Sequence, residues 1–141
     1  MANIIPFAFR GELFSGTHNF ANGGNSFKIA LYTGNPYSTS STQYLTAQEV
    51  SASNTGYTTA GKVLASQAVA SGTAVASVDF ADSVINSATF TAAFAAIYND
   101  TNGDKLCVVL DFGGNKTATN GTFTISFPDP STPANAIISM A

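Results

Sequence analysis

Short runs in which apolar and polar residues alternate are the feature that most constrains the fold of this chain. The clearest run spans residues 26–33, where Phe27, Ile29 and Leu31 share one side of an extended chain. Lys28 falls on the opposite side. Successive side chains of a strand point to opposite faces of a sheet, so a period of two indicates a strand with one buried face. We therefore predict a half-buried β-strand here.

The same period recurs in later runs that are separated by turns rich in glycine and asparagine. The further predicted strands are residues 73–80, 89–98, 105–112 and 122–127, and residues 136–140 are expected to be either a last short strand or an apolar tail. The predicted turns are residues 22–25, 99–104, 113–115 and 120–121. The polar turn at 99–104 lies between two strand runs and predicts a β-hairpin. Phe90, Phe94 and Ile97 also fit a helical stripe, and the segment is rich in alanine, so a helix stays an alternative there.

A short helix is predicted near the N-terminus, over about residues 6–15. Pro6 suits the first turn of a helix, where its missing N–H would have no partner, and Gly16 can adopt the left-handed conformation that ends one. Phe9 and Leu13 are four residues apart and would share a face of this helix. That face is expected to pack against the strands.

The predicted architecture is all-β. Several short strands joined by Gly/Asn turns are typical of a β-sandwich or jelly roll, and a chain of 141 residues suits one domain. We therefore predict a single β-sandwich domain over residues 1–141, with an N-terminal arm or helix in residues 1–20. Residues 34–61 form a polar excursion that is longer than an ordinary connection, so we expect it to carry a function.

The low charge of the chain limits the partners that it can have. Charged residues make up 9% of the sequence, whereas an average domain has roughly a quarter. The net charge is -3, and the five cations are scattered along the chain. No basic stripe is available to neutralise phosphates, so we expect no nucleic-acid partner. A surface with so few charges favours contact with other proteins, as in a component of an assembly.

Signals for export or for a membrane are not expected either. The first residues lack a cationic start and a continuous apolar stretch, which a secretory signal needs. The longest uncharged, apolar-leaning stretch is 83–99, and polar residues such as Asn86 interrupt it. A spanning helix needs about 20 mostly apolar residues. We therefore predict no membrane span.

The residues that could support catalysis are few. His18 is the only histidine and Cys107 the only cysteine. A nucleophile–base pair between them stays open, but the sequence has no nucleophile elbow and no triad spacing. A histidine in a loop and a thiol in an apolar core are the favoured interpretation. We predict that the protein is not an enzyme.

A partial calcium-loop pattern occurs in the predicted hairpin. Asp100, Asn102, Asp104 and Asp111 match four ligand positions of such a loop, but Lys105 stands where the loop requires a glycine. A polar hairpin turn explains these residues, and we expect no cofactor and no metal.

A succession of short motifs runs through nearly the whole chain. They are FRGELFSGTH at 9–18, FKIALYT at 27–33, EV at 49–50, GYTTAGK at 56–62, VDF at 78–80, AIYND at 96–100 and LDFG at 110–113. This succession resembles the small virion structural proteins of tailed bacteriophages, a group that includes head decoration, or cement, proteins with β-sandwich or jelly-roll folds. The resemblance carries over no catalytic or metal-binding residue.

The resemblance implies a function in the virion. Copies of such a protein bind the outside of an assembled capsid and bridge neighbouring major capsid proteins, which stabilises the shell. The implied location is the outer surface of the virion, after synthesis in the host cytoplasm. We expect the chain to form a dimer or trimer. The alternatives are a tail or neck protein, or a glycan-binding β-sandwich module that stacks sugars on exposed tyrosines.

Apolar and aromatic side chains are the expected anchors of this contact, because ion pairs are scarce. They fall in the N-terminal arm, the polar excursion and the C-terminal tail. The predicted contact residues are Ile4, Ile5, Phe7, Phe9, Tyr37, Tyr44, Tyr57, Ile137, Ile138 and Met140. Ordinary core packing stays an alternative for each of them.

Overall fold

The architecture is mostly β, with two antiparallel sheets and one short helix. The computed structural model describes residues 3–71, 74–128 and 136–140. The elements are α1 (Phe7–Phe14), β1 (Phe27–Tyr32), β2 (Lys62–Val63), β3 (Ala68–Ser71), β4 (Ala76–Asp79), β5 (Ser83–Asn99), β6 (Lys105–Ile125) and β7 (Ile138–Met140). One sheet has the strand order β2-β1-β5-β6 and the other β3-β4-β7. The all-β prediction is confirmed.

The long hairpin of β5 and β6 dominates the first sheet. Its turn is at the predicted place, between Asn99 and Lys105, which are paired. Residues 89–98 are a strand, so the helical alternative is wrong there. β5 is much longer than predicted because β6 supplies a partner along its whole length, from Asn99 back to Ser83. The hydrogen bonds of this pairing hold polar and alanine-rich stretches in a strand that their own propensities favour weakly.

The turns predicted at 113–115 and 120–121 are wrong, because the chain continues through both as part of β6. Ala92 pairs with Lys116 and Phe94 with Asp111, so two steps along β5 face five along β6. The extra residues form a bulge at Gly113, whose φ is 77°. The pairing with β5 resumes beyond it. The glycines therefore accommodate a bulge in the strand instead of a reversal of the chain.

Helix α1 forms where the sequence predicts it. Pro6 precedes it in an extended conformation, and the N–H of Thr17 donates to the carbonyl of Glu12 at 2.9 Å as the helix ends. Gly16 has a φ of 75°, the left-handed conformation expected of it. Phe9 is buried in the core. Across the described parts of the chain, no helix has the length and apolar character needed to cross a membrane.

Strand β1 is buried on both faces, so the prediction of a half-buried strand is wrong. Phe27, Ile29 and Leu31 belong to the main core, whereas Ala30 and Tyr32 belong to a second apolar cluster on the opposite face. Residues 34–61 supply part of that second cluster by folding back over the sheet. The sequence of β1 shows a period of two, but the residues that bury its second face come from elsewhere in the chain.

The second sheet was only partly predicted. β4 lies within the run predicted over 73–80, whose Thr73 falls outside the described residues. Of the two alternatives for residues 136–140, a strand or an apolar tail, the structure has the strand, β7. β2 and β3 were not predicted, since their few residues show no clear period. Val78 of β4 and Ile138 of β7 belong to the same core cluster as Phe27. The two sheets therefore contribute to one core.

Gly61 should tolerate no side chain. Its φ is 88°, and a Cβ would lie 2.1 Å from the carbonyl oxygen of Ile29 in β1. We expect Gly61→Ala to lower the free energy of unfolding by at least about 2 kcal/mol, because alanine adds left-handed strain to a clash with backbone. Gly11→Ala is the matched control, since a Cβ there meets nothing within 4 Å. It should raise stability by about 1 kcal/mol. Chemical denaturation measures both, and equal stability of the two variants would contradict this account.

Candidate contact surface

The ten predicted contact residues are divided by burial. Phe7 and Met140 are 60% and 55% exposed, so both are available to a partner. Phe9, Tyr37, Tyr57 and Ile138 are buried in the core, so their prediction as exposed anchors is corrected to core packing. The remaining four are half-buried: Ile4, Ile5, Tyr44 and Ile137.

The excursion tyrosines point inward because their hydroxyls have partners there. Glu49 accepts hydrogen bonds from the hydroxyls of Tyr44 at 2.5 Å and Tyr57 at 2.6 Å. The backbone N–H of Ala60 donates to the same carboxylate at 2.8 Å. Burying an aromatic ring while its hydroxyl is bonded is favourable, so these rings cover the sheet. A stacking platform for sugars would need them exposed, which counts against the glycan-binding alternative.

A second group of hydrogen bonds fixes the first part of the excursion, near Tyr37 and Leu45, and its end at Ala60. The hydroxyls of Tyr32 and Tyr37 lie 2.7 Å apart, and Tyr32 also donates to the carbonyl of Leu45 at 2.7 Å. The N–H of Leu45 donates to the Tyr37 hydroxyl at 2.9 Å. The hydroxyl of Tyr98 in β5 donates to the carbonyl of Ala60. The excursion is therefore part of the packed structure.

Helix α1 presents two exposed phenylalanines. Phe7 and Phe14 are seven residues apart, which is about two helical turns, so they lie on the same side of α1. Phe14 is 91% exposed, and the guanidinium of Arg10 lies 5.3 Å from the centre of the Phe7 ring. Phe14 is not among the predicted contact residues, although its spacing from Phe7 is a usable signal. We call Phe7, Arg10 and Phe14 the helix face.

An apolar groove lies beside the C-terminal end of α1. It has a volume of about 110 Å³, and it is lined by Leu13 and Phe20 together with residues of the second sheet. Val69 on β3 and Met140 on β7 form its exposed rim, at 51% and 55% exposure. Val69 is not among the predicted contact residues, because no sequence pattern distinguishes β3. The helix face and this rim are the candidate contact surface.

A buried polar cluster connects α1 to the β5–β6 hairpin. Nε2 of His18 lies 2.7 Å from a carboxylate oxygen of Glu12, and Nδ1 lies 3.7 Å from the sulfur of Cys107. The side-chain amide of Asn99 lies 3.1 Å from the same Nδ1. Lys105 forms an ion pair with Glu12 at 3.3 Å. The tertiary structure thus brings together the cysteine and the histidine that the sequence left 89 residues apart.

This cluster resembles a cysteine–histidine–carboxylate arrangement, but its hydrogen bonds suit a structural role. With its hydrogen on Nε2, His18 donates to Glu12, and the lone pair of Nδ1 accepts from the Asn99 amide. That lone pair is then unavailable for the thiol proton. Cys107 is fully buried, and burial raises the pKa of its thiol well above the ordinary value. The nucleophilic thiolate is disfavoured, and the thiol packs as a small apolar group.

The residues of the calcium-loop pattern are engaged separately. Asp100 forms an ion pair with Lys28 at 3.5 Å, and the amide of Asn102 donates to the carbonyl of Thr17 at 2.6 Å. Asp111 accepts the N–H of Gly113 at 2.8 Å, at the bulge of β6. Within the described ranges, no three His, Cys, Asp or Glu side chains are grouped so that they could hold a metal ion.

The tyrosines should make stability sensitive to alkaline pH. Burial raises the pKa of all five above the ordinary value of 10.0. Above about pH 10 the unfolded chain loses these protons while the folded chain keeps them, so stability falls as pH rises. Denaturation between about pH 8 and pH 11 should show a small decline in the free energy of unfolding above about pH 9, from the buried thiol of Cys107, and a steeper decline above about pH 10 from the tyrosines. A flat profile, with tyrosinate absorbance appearing in the folded protein near pH 10, would contradict the inward placement of these rings.

Cys107 should be unreactive in the folded protein. Its sulfur is inaccessible, and its pKa is raised, so a soluble thiol reagent should react with it only after the chain opens. We expect negligible labelling under native conditions and complete labelling in denaturant, which serves as the control. Rapid stoichiometric labelling of folded protein would instead indicate an accessible, activated cysteine.

Comparisons with known protein families, curated proteins and solved structures found no match.

Proposed function

We propose that this chain is a non-enzymatic structural protein of a tailed-bacteriophage virion. In this proposal it binds the outside of the head and bridges neighbouring major capsid proteins, which stabilises the shell. The observation that carries the proposal is the exposure of large apolar side chains on a nearly uncharged protein, at the helix face and at the rim of the apolar groove. The motif resemblance supplies the identity of the partner.

The exposed side chains support a contact with another protein. Phe7, Phe14, Val69 and Met140 are each more than half exposed. Burying one such side chain against a partner is favourable by about 1.5–3 kcal/mol of free energy relative to leaving it in water. Apolar rims around a groove are typical of interaction sites. The groove has the dimensions of a site for an apolar side chain of the partner.

The charges near this surface fit the same role. Arg10 lies against the Phe7 ring and leaves its guanidinium at the surface, where it can meet a carboxylate at the edge of a contact. Elsewhere the contact must depend on apolar burial, which high salt does not weaken. A repeating shell offers many identical sites, so a modest affinity at each one adds up over the lattice.

The fold belongs to the same proposal. We infer a single β-sandwich domain in which the two sheets are the layers, because Val78 and Ile138 of one sheet share a core with Phe27 and Ile29 of the other. A rigid domain of this kind can present the helix face and the groove in a fixed arrangement. A tail or neck protein could use the same surface. Locating the chain on intact particles with a labelled antibody distinguishes these places.

Binding to shells tests the proposal. Empty heads assembled from the major capsid protein of the same phage are mixed with the purified chain and sedimented, and bound protein is quantified. We expect saturable binding and a higher melting temperature of the decorated shell. The double variant Phe14→Ser, Met140→Ser should weaken binding at least about tenfold, because it removes two exposed anchors.

Val63→Ser is the matched control for this experiment. Val63 is 53% exposed, like Met140, but it lies on β2, away from the groove. It should bind shells as the unchanged protein does. Failure of the unchanged protein to bind, or equal loss in the control and the double variant, would contradict a contact through this surface.

A further inference from the structure

Strand β6 is an edge of the four-stranded sheet, and its first half is covered by other parts of the chain. The N–H of Leu106 donates to the carbonyl of Thr42 at 3.0 Å, and the N–H of Tyr44 donates to the carbonyl of Asp104 at 2.9 Å. Ile4 and Val109 exchange two backbone hydrogen bonds, each of 2.9 Å. From Asp104 to Val109 the edge is therefore paired.

The second half of β6 is open on the side away from β5. No strand or bridge in the described part of the chain pairs with residues 112–125 except β5. A groove of about 480 Å³ runs here, and all its lining residues lie between Phe112 and Ser126. No β5 residue lines it, so the groove belongs to this half of β6.

This open edge lacks the usual protection against pairing. In natural proteins, charged residues, prolines or a short length prevent an edge strand from pairing with another chain. Residues 117–125 contain no charged residue and no proline. Register shifts interrupt the pairing up to Ile85 and its partner Phe123, with one extra residue on β5 between Ile85 and Ala88, and the last stretch, from Phe123 to Ile125, pairs regularly with the start of β5. An exposed edge of this kind can accept another strand.

We propose that this edge pairs with the same edge of a second copy, antiparallel about a two-fold axis at Phe123. The pairing places Thr122 opposite Thr124 of the other copy and Gly121 opposite Ile125. The result is a dimer whose two four-stranded sheets join into one. This inference stands apart from capsid binding, because it needs only this chain.

The side chains of the edge are self-complementary in that register. Thr122 and Thr124 are exposed, and threonine pairs across strands are favourable. Ile125 of one copy would cover Gly121 of the other copy, on the face of the sheet that points to the core. The three residues at the axis, Thr122, Phe123 and Thr124, are uncharged, so the pairing brings no like charges opposite each other there.

A second copy is the partner that fits, because no other described edge matches this one in length. β2, at the far edge of the same sheet, has two residues. β3 and β7, the edges of the other sheet, have four and three residues. Head-to-tail pairing around a threefold axis would join the long edge to one of these short ones. A two-fold pairing uses the long edge of both copies.

Charge exchange at the axis tests the proposal by analytical ultracentrifugation without any shell. The unchanged protein should sediment as a pair of 14.5 kDa chains. The variant Thr122→Glu, Thr124→Glu places like charges opposite each other, and so does Thr122→Lys, Thr124→Lys. Each should raise the dimer dissociation constant at least about tenfold. Mixing the two variants should restore a dimer, which also demonstrates that both are folded.

A matched control places two glutamates on the edge of the other sheet, with Ala68→Glu and Ser71→Glu, and should leave the dimer intact. The proposal is overturned by a monomeric unchanged protein, by a trimer, by glutamate variants that still dimerise, or by a control that dissociates. A monomer whose edge variants lose shell binding would assign the edge to the capsid protein, which also overturns self-pairing. A dimer that fails to bind shells supports this inference and contradicts the capsid proposal.

Discussion

The carboxylate of Glu49 holds a layer of the protein in place. It accepts hydrogen bonds from Tyr44, Tyr57 and the backbone of Ala60, so three points of the excursion over residues 34–61 converge on one side chain. The tyrosine rings then face the sheet, and β1 is buried on both sides. Each buried hydroxyl would cost about 1–3 kcal/mol without a partner. The excursion therefore belongs to the packed core, and its length reflects the area that it covers.

Burial of these tyrosines restricts where the protein can meet a partner. The rings that looked available for contact are used internally, whereas the helix face and the rim of the apolar groove carry apolar side chains that are exposed. The side chains with reactive chemistry are also engaged internally. His18 and Cys107 are adjacent, but Glu12 and Asn99 occupy both ring nitrogens of the histidine. In the described part of the chain, the candidate contact surface and the open edge of β6 are accessible, and both are suited to binding.

The sequence predicted local structure best where the signal was local. The helix over Phe7–Phe14 followed from Pro6 and Gly16, and the hairpin at Asn99 followed from a polar turn between alternating runs. The turns expected near Gly113 and Asn120 did not form, because β5 lies alongside and its hydrogen bonds continue past both. β3 was not predicted, because four residues are too few to establish a period. Of the candidate contact surface, only Phe7 and Met140 were predicted from the sequence.

By itself, the sequence determined that strands dominate, that a short helix precedes them and that few charges face the solvent, because these depend on residue type and spacing along the chain. The tertiary structure alone decided which apolar residues are exposed. Phe9 and Phe14 have the same chemistry, yet one packs in the core and the other faces the solvent. The cover on a side chain comes from residues distant in sequence, so local periodicity cannot specify it. The open edge of β6 likewise exists only because Ile4 and Thr42 cover the other half.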